Sequence, residues 1–131
     1  MHVSSLALAA TLLNGVSAWY IMAYNNAKGC NANGLTVYRY YESDVENSCI
    51  RFDTLYANVL CEQFERGGQE KTDCTDDPLD PQSIQFYADD SWRCEAWWAD
   101  DCKGPSDEPF ANETHCEDRL DVYKSFSCRR Y

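Results

Sequence analysis

Beyond residue 18 the chain holds one histidine, His115, and any acid–base chemistry would have to pass through it. Cleavage of RNA needs a positioned pair, His with His or His with a carboxylate, and a cation for the phosphate. Glu113, Glu117 and Arg119 flank His115 and supply those types. The adjoining Cys116 favours a plainer role, a surface histidine beside a bridge, because a lone titratable group without fixed geometry is weak ground for catalysis. Carboxylates are so abundant, 22 in all, that some pair falls at glycosidase separation by chance. No GxSxG elbow occurs, and no unpaired cysteine is expected to serve as nucleophile. No catalytic residue is therefore assigned. The doublets Asp76-Asp77, Asp89-Asp90 and Asp100-Asp101 carry the oxygens that calcium takes, without EF-hand spacing. They read as a solvated acidic face, and neither metal nor cofactor is expected.

The densest aromatic cluster is Trp92, Trp97 and Trp98 with Tyr87. In a small domain such rings mostly fill the core, since each buries a large area. An exposed one would suit a sugar ring or a protein partner. Trp97 and Trp98 are adjacent, so on a strand they point to opposite faces. One then fills the core and the other leans to solvent beside Asp100-Asp101 and the Pro105 loop. These two are the candidate binding residues.

What must hold such groups in place is covalent. The eight cysteines are Cys30, Cys49, Cys61, Cys74, Cys94, Cys102, Cys116 and Cys128. A metal site would need close Cys-x-x-Cys or Cys/His pairs, and the nearest cysteines are Cys94 and Cys102. An even count reads as four disulfides with no free thiol. Each contributes about 2–4 kcal/mol by restricting the unfolded chain. Bridges within each half of the chain are the expectation, on the hypothesis of duplication given below.

Compartment and partners follow from the N-terminus and the charge. Leu6 to Leu13 form an apolar run, and Val16 and Ala18 occupy the cleavage positions, so residues 1–18 read as a signal peptide. The run is too short to span a bilayer, and no second long apolar segment follows. The chain reads as secreted, without a membrane anchor and monomeric. Asn112-Glu113-Thr114 is a glycosylation sequon, with Asn112 in an exposed loop; Asn47-Ser48-Cys49 is the rarer form and is discounted. A net charge of −11 keeps the protein soluble and repels phosphates, which excludes nucleic acid and anionic membranes as partners.

The pattern of apolar residues predicts a β-rich fold, all-β or α+β: a small antiparallel sheet or sandwich stapled by disulfides. Strands are expected at about 19–24, 35–41, 84–88 and 119–127, from alternation and β-branched or aromatic content. In the second of these, Leu35, Val37 and Arg39 share one face. Residues 44–66 carry both patterns: Val45, Cys49, Phe52, Tyr56, Val59 and Gln63 at helical steps, and Leu55, Ala57 and Val59 alternating. Residues 69–82 are polar, with Pro78 and Pro81, and read as a linker. One domain at 19–131 then divides into pseudo-halves, 19–74 and 81–131. Cys49 and Cys61 are spaced like Cys116 and Cys128, and Ile21–Tyr24 precedes Cys30 much as Ile84–Tyr87 precedes Cys94, as a duplication would give.

The signal peptide, strand starts such as Leu35–Tyr38 and Phe86–Asp90, spaced cysteines and the closing strand Val122–Cys128 resemble fungal small secreted cysteine-rich proteins of the candidate-effector kind. The two-copy layout is similar, more faintly, to two-motif βγ-crystallin-like folds, which include killer toxins. It departs from them where Asn25-Asn26 leads to Gly29-Cys30 and Asp89-Asp90 leads to Arg93-Cys94, in place of a Ser/Thr-Ser pair. Hydrophobins are set aside, because no two cysteines are adjacent. The effector resemblance implies a non-enzymatic protein acting by binding on a host or competitor target, either a protein or a cell-wall glycan. The alternative is a small secreted ribonuclease-like hydrolase with His115 as its base.

Overall fold

The computed structural model describes residues 18–26, 28–89, 91–107, 115–118 and 122–130. Among these residues the strands are β1 (Trp19–Tyr24), β2 (Tyr38–Ser43), β3 (Ile50–Arg51), β4 (Leu60–Glu65), β5 (Glu70–Asp73), β6 (Ser83–Ala88), β7 (Trp92–Trp97), β8 (Ser106–Asp107), β9 (His115–Asp118) and β10 (Ser125–Arg130). They form a six-stranded sheet in the order β5-β4-β2-β1-β6-β9 and a four-stranded sheet in the order β3-β10-β7-β8. Every pairing is antiparallel. The fold is β-rich, and the one helical element among the described residues is a single 3₁₀ turn, Arg66–Gly68.

Period-two patterning builds the space between the sheets. Trp19, Ile21 and Ala23 of β1 point inward, as do Ile84, Phe86 and Ala88 of β6. Trp92, Cys94, Ala96, Phe126 and Cys128 meet them from the other sheet. Phe126 is the hub: Trp19, Tyr41 and Phe52 pack on it with ring centroids 5.8, 5.4 and 5.3 Å away. Edge-on and tilted pairs of this kind contribute about 0.5–1.5 kcal/mol beyond area burial.

Arg39 also points inward and is 3% exposed. Its Nε donates to Gln63 Oε1, its Nη1 to the Phe52 carbonyl and its Nη2 to the Asp77 carbonyl, at 2.7–2.9 Å. The guanidinium thus ties β2 to β4 and to two loops. Gly67 fixes a further corner, with φ at +68° and no room for a side chain: a Cβ would lie 2.2 Å from the Asn33 carbonyl oxygen.

Several expectations change. In 44–66, which carried both patterns, strand prevails: β3 and β4 occupy it, joined by turns, because its short segments take their geometry from β10 and β2, and Arg66 alone enters the 3₁₀ turn. Strand 35–41 starts later, at Tyr38, and Leu35 stands 81% exposed in the preceding loop rather than sharing a buried face with Arg39. Of the last expected strand, 119–127, residues 119–121 lie outside the described residues, and the strand seen runs from Ser125 to Arg130. The polar stretch 69–82 is not a free linker. β5 pairs with β4, Leu79 and Pro81 are buried, and the Leu79 N–H bonds to the Phe52 carbonyl.

All eight cysteines pair: Cys30–Cys116, Cys49–Cys102, Cys61–Cys74 and Cys94–Cys128. The first two cross between the halves, which corrects the expectation of bridges within each half. β1 of the first half pairs directly with β6 of the second. The halves are therefore not self-contained units.

Candidate functional site

The residues that alternate with the core positions lie on the outer face of the six-stranded sheet, and there the sequence places tyrosine where charge is usual. Strand register arranges them in three rows across the strands. The first row holds Phe64, Tyr38, Tyr24 and Ser83. The middle row holds Asp73, Glu62, Tyr40, Met22 and Gln85. The last holds Leu60, Glu42, Tyr20 and Tyr87. No second layer of strands covers this face among the described residues.

The rings stack along the rows. Tyr24, Tyr38 and Phe64 follow one another at centroid distances of 5.1 and 4.9 Å. Tyr87, Tyr20 and Tyr40 do the same at 5.1 and 5.6 Å, the last step being diagonal. At these distances neighbouring rings cover one another's faces. The surface therefore offers ring edges, hydroxyl groups and the open faces at the row ends. Met22 lies between the two aromatic rows, with Gln85 beside it on β6 and Tyr40 beside it on β2.

The polar groups converge around Tyr40. Its hydroxyl donates to Glu42 Oε2 at 2.8 Å. Lys71 of the edge strand forms an ion pair with Glu62. The Tyr24 hydroxyl donates to Gln85 Oε1 at 3.4 Å. At the β9 end the face meets the loop after β1, where the Gly29 N–H bonds to Asp118 and the Cys30 N–H to Ser83.

Burial raises the Tyr40 phenol, and the bond to Glu42 and the charges of Glu42, Tyr20 and Glu62 push the same way. Burial likewise raises Tyr24, helped by Tyr38 and Tyr20. In the core burial raises Tyr41, with Arg39 opposing. A raised phenol keeps its proton in the folded state while the unfolded chain loses it near the ordinary value of about 10. Stability from these groups is complete below that pH and falls as pH rises beyond it. Thermal melts at increasing pH should show a level Tm up to about pH 10 and a decline above it.

The sequence-derived candidates are scattered. Trp97 ends β7 and is 7% exposed; Ser125, opposite it on β10, is tied to the segment after the strand, donating to the Ala99 carbonyl and accepting from Cys102 N–H. Trp98 lies just past the strand, half-buried, packed against the core and stacked on Tyr123 with centroids 5.9 Å apart. His115 sits in β9 opposite Phe86. Glu113, Arg119 and Asn112 lie outside the described residues, so the proposed acid–base set and the sequon do too. In the Asn47 sequon the Nδ2 atom is buried, and the Oδ1 atom accepts from Cys128 N–H. Asp76-Asp77 and Asp100-Asp101 are exposed, as is Asp89, and no group of three metal-ligating side chains is assembled among the described residues.

The Tyr20, Tyr24, Tyr38, Tyr40 and Phe64 surface went unnoticed in the sequence. The signal was there, as tyrosines two or four residues apart on outward strand positions.

These features define a class: a small β-sandwich stapled by four disulfides. Residues 19–128 match the family described as secreted LysM effector LysM14, C-terminal domain, and the chain belongs to that family. It is a secreted, cysteine-rich effector domain, of the kind the sequence resembles. No curated protein and no solved structure matches it, so the crystallin-like similarity gains no support. No helix among the described residues is long and apolar enough to cross a membrane.

Proposed function

We propose that this effector domain acts by binding rather than catalysis, and that its partner is a cell-wall or host-surface glycan lying on the outer face of the six-stranded sheet. The observation that carries this reading is the pair of cross-strand aromatic rows on that face. Sugars present apolar C–H faces ringed by hydroxyls, and the open ring faces at the row ends, with phenol groups along the rows, complement both. Tyr20, Tyr38 and Tyr87 stand on this face by register, where their hydroxyls can pair with those of a ligand. The family name supports a glycan partner such as chitin, because it ties this domain to a LysM effector. Processing after Ala18 belongs to the same proposal: the family match begins at Trp19, where β1 begins. A glycan at Asn112 and a monomeric state complete it.

The test is co-sedimentation of the disulfide-intact protein with insoluble polysaccharides, beside a glycan array. A Tyr20→Ala/Tyr87→Ala variant should lose at least about tenfold in affinity. Its folding should suffer little, since each cross-strand pair contributes about 0.2–1 kcal/mol and both rings are only half-buried. Unchanged binding by that variant, or no binding by the parent, would remove the reading.

A second anchor is favoured by one observation, the half-buried Trp98 plate over Tyr123. A Trp98→Ala variant in the same assay separates the two surfaces. If it alone loses binding, the partner docks beside the Pro105 loop.

A further inference from the structure

The chain turns into β2 through Asn33-Gly34, and glycine after asparagine leaves a backbone nitrogen unscreened beside a side-chain amide. Asn33, Gly34 and Leu35 are all exposed. Apart from its chain neighbours, no atom of the described residues lies within 4 Å of where a Gly34 side chain would begin. The Leu35 N–H donates to Asn33 Oδ1 at 2.9 Å. That bond folds the carboxamide back over the turn and sets a donor on the oxygen that becomes anionic when Cγ is attacked. The main chain of Asn33 is pinned meanwhile. Its N–H donates to Thr36 Oγ1 at 2.9 Å, and its carbonyl accepts from Thr36 N–H at 3.1 Å. Thr36 is fully buried, and its own carbonyl accepts from Gly67 N–H.

We propose that Asn33 is a self-modification site, deamidated by its own backbone in the folded protein. The Gly34 nitrogen gives its proton to hydroxide and bonds to Asn33 Cγ. The oxyanion forms on Oδ1 against the Leu35 N–H, and the Cγ–Nδ2 bond then breaks. Nδ2 takes a proton from water and leaves as ammonia, and a five-membered succinimide remains. Water opens that ring at Cγ to give aspartate, or at the old main-chain carbonyl to give isoaspartate. In isoaspartate the chain runs on through Cβ and Cγ, and the old carbonyl becomes a free carboxylate. That carbonyl sits tight against Gly67, where a Cβ would lie 2.2 Å from its oxygen. Gly68 follows, so close to the Tyr38 hydroxyl that a Cβ there would lie 2.8 Å from it. Isoaspartate therefore loosens the corner that abuts the first aromatic row, while aspartate leaves it in place.

The experiment incubates the folded, disulfide-intact protein at mildly alkaline pH and follows each asparagine by peptide mass spectrometry. Asn33 should convert about tenfold faster than Asn25, Asn26, Asn31, Asn47 or Asn58, a modest lead beside what an oxyanion donor supplies in an enzyme. Its rate should rise with pH. Gly34→Ala should fold as the parent does, given the open space there, and should slow the conversion severalfold. The isoaspartyl form, separated by chromatography, should melt at least about five degrees below the parent. An Asn33→Asp variant should melt with the parent. Conversion in the reduced, denatured chain but not in the folded protein would overturn the proposal, by showing that the turn locks the amide. An undiminished rate in Gly34→Ala would overturn it too. An isoaspartyl form as stable as the parent would overturn the loosening of the corner.

Discussion

A chain carrying Cys30→Ser and Cys116→Ser should be less stable than its parent by about 4–5 kcal/mol. The bridge spans 86 residues and ties the loop after β1 to the edge strand β9. In the chain-entropy model the loss grows with the logarithm of the loop, so the bridge across 13 residues, Cys61–Cys74, contributes less, about 3 kcal/mol. A domain of this size has about 5–15 kcal/mol in total, so the first loss approaches the whole while the second leaves a folded protein. Denaturant titration of both double variants checks the order. A smaller loss at Cys30–Cys116 than at Cys61–Cys74 would mean that strand pairing, not the bridge, confines that end of the sheet.

Arg39→Met should cost about 3–5 kcal/mol, a fall in Tm of more than ten degrees or so. Methionine approximates the length of the side chain but offers no donor. The Asp77 carbonyl and the Gln63 amide would lose their Arg39 partner behind β2, and the Phe52 carbonyl would keep only the Leu79 N–H. Each orphaned buried acceptor costs about 1–3 kcal/mol. Lysine in place of Arg39 keeps the charge but not the fork, and should recover a minor part of the loss. Thermal melts of the two variants test this. A methionine variant as stable as the parent would show that water replaces the guanidinium.

Arg39 also shows why strand phase was harder to read than strand existence. Leu35, Val37 and Arg39 alternate, and the apolar Leu35 suggests where the buried face starts. The turn closed by Gly67 against Asn33 leaves Leu35 outside the sheet, and only the tertiary bonds of Arg39 make its inward position tolerable. Near β1 and β6 no such conflict arises, because hydrophobic patterning and register agree there. β5 was illegible for a different reason. Its Glu-Lys-Thr-Asp sequence has no apolar signal, as suits an edge that must resist pairing with another chain. The aromatic face escaped notice because its members come from four strands, and only the register sets Tyr20 beside Tyr87 and Tyr38 beside Phe64. Cysteine pairing was illegible in principle, since equal spacing in sequence says nothing of which strands become neighbours.

The position of β1 sets a timetable. Among the described residues it is the first strand to leave the exporting membrane, yet it ends up inside the sheet, between β2 and β6. Until β6 follows, one long edge of β1 stands open, with apolar rings on both sides, an invitation to intermolecular pairing. Of the native bridges, Cys61–Cys74 can close earliest, while Cys30 and Cys49 must wait for Cys116 and Cys102. Through that interval each can oxidise with the other, and release from the wrong bridge proceeds over seconds to hours without an isomerase. Thiol exchange in the emerging chain is thus a folding step that is slow beside strand pairing.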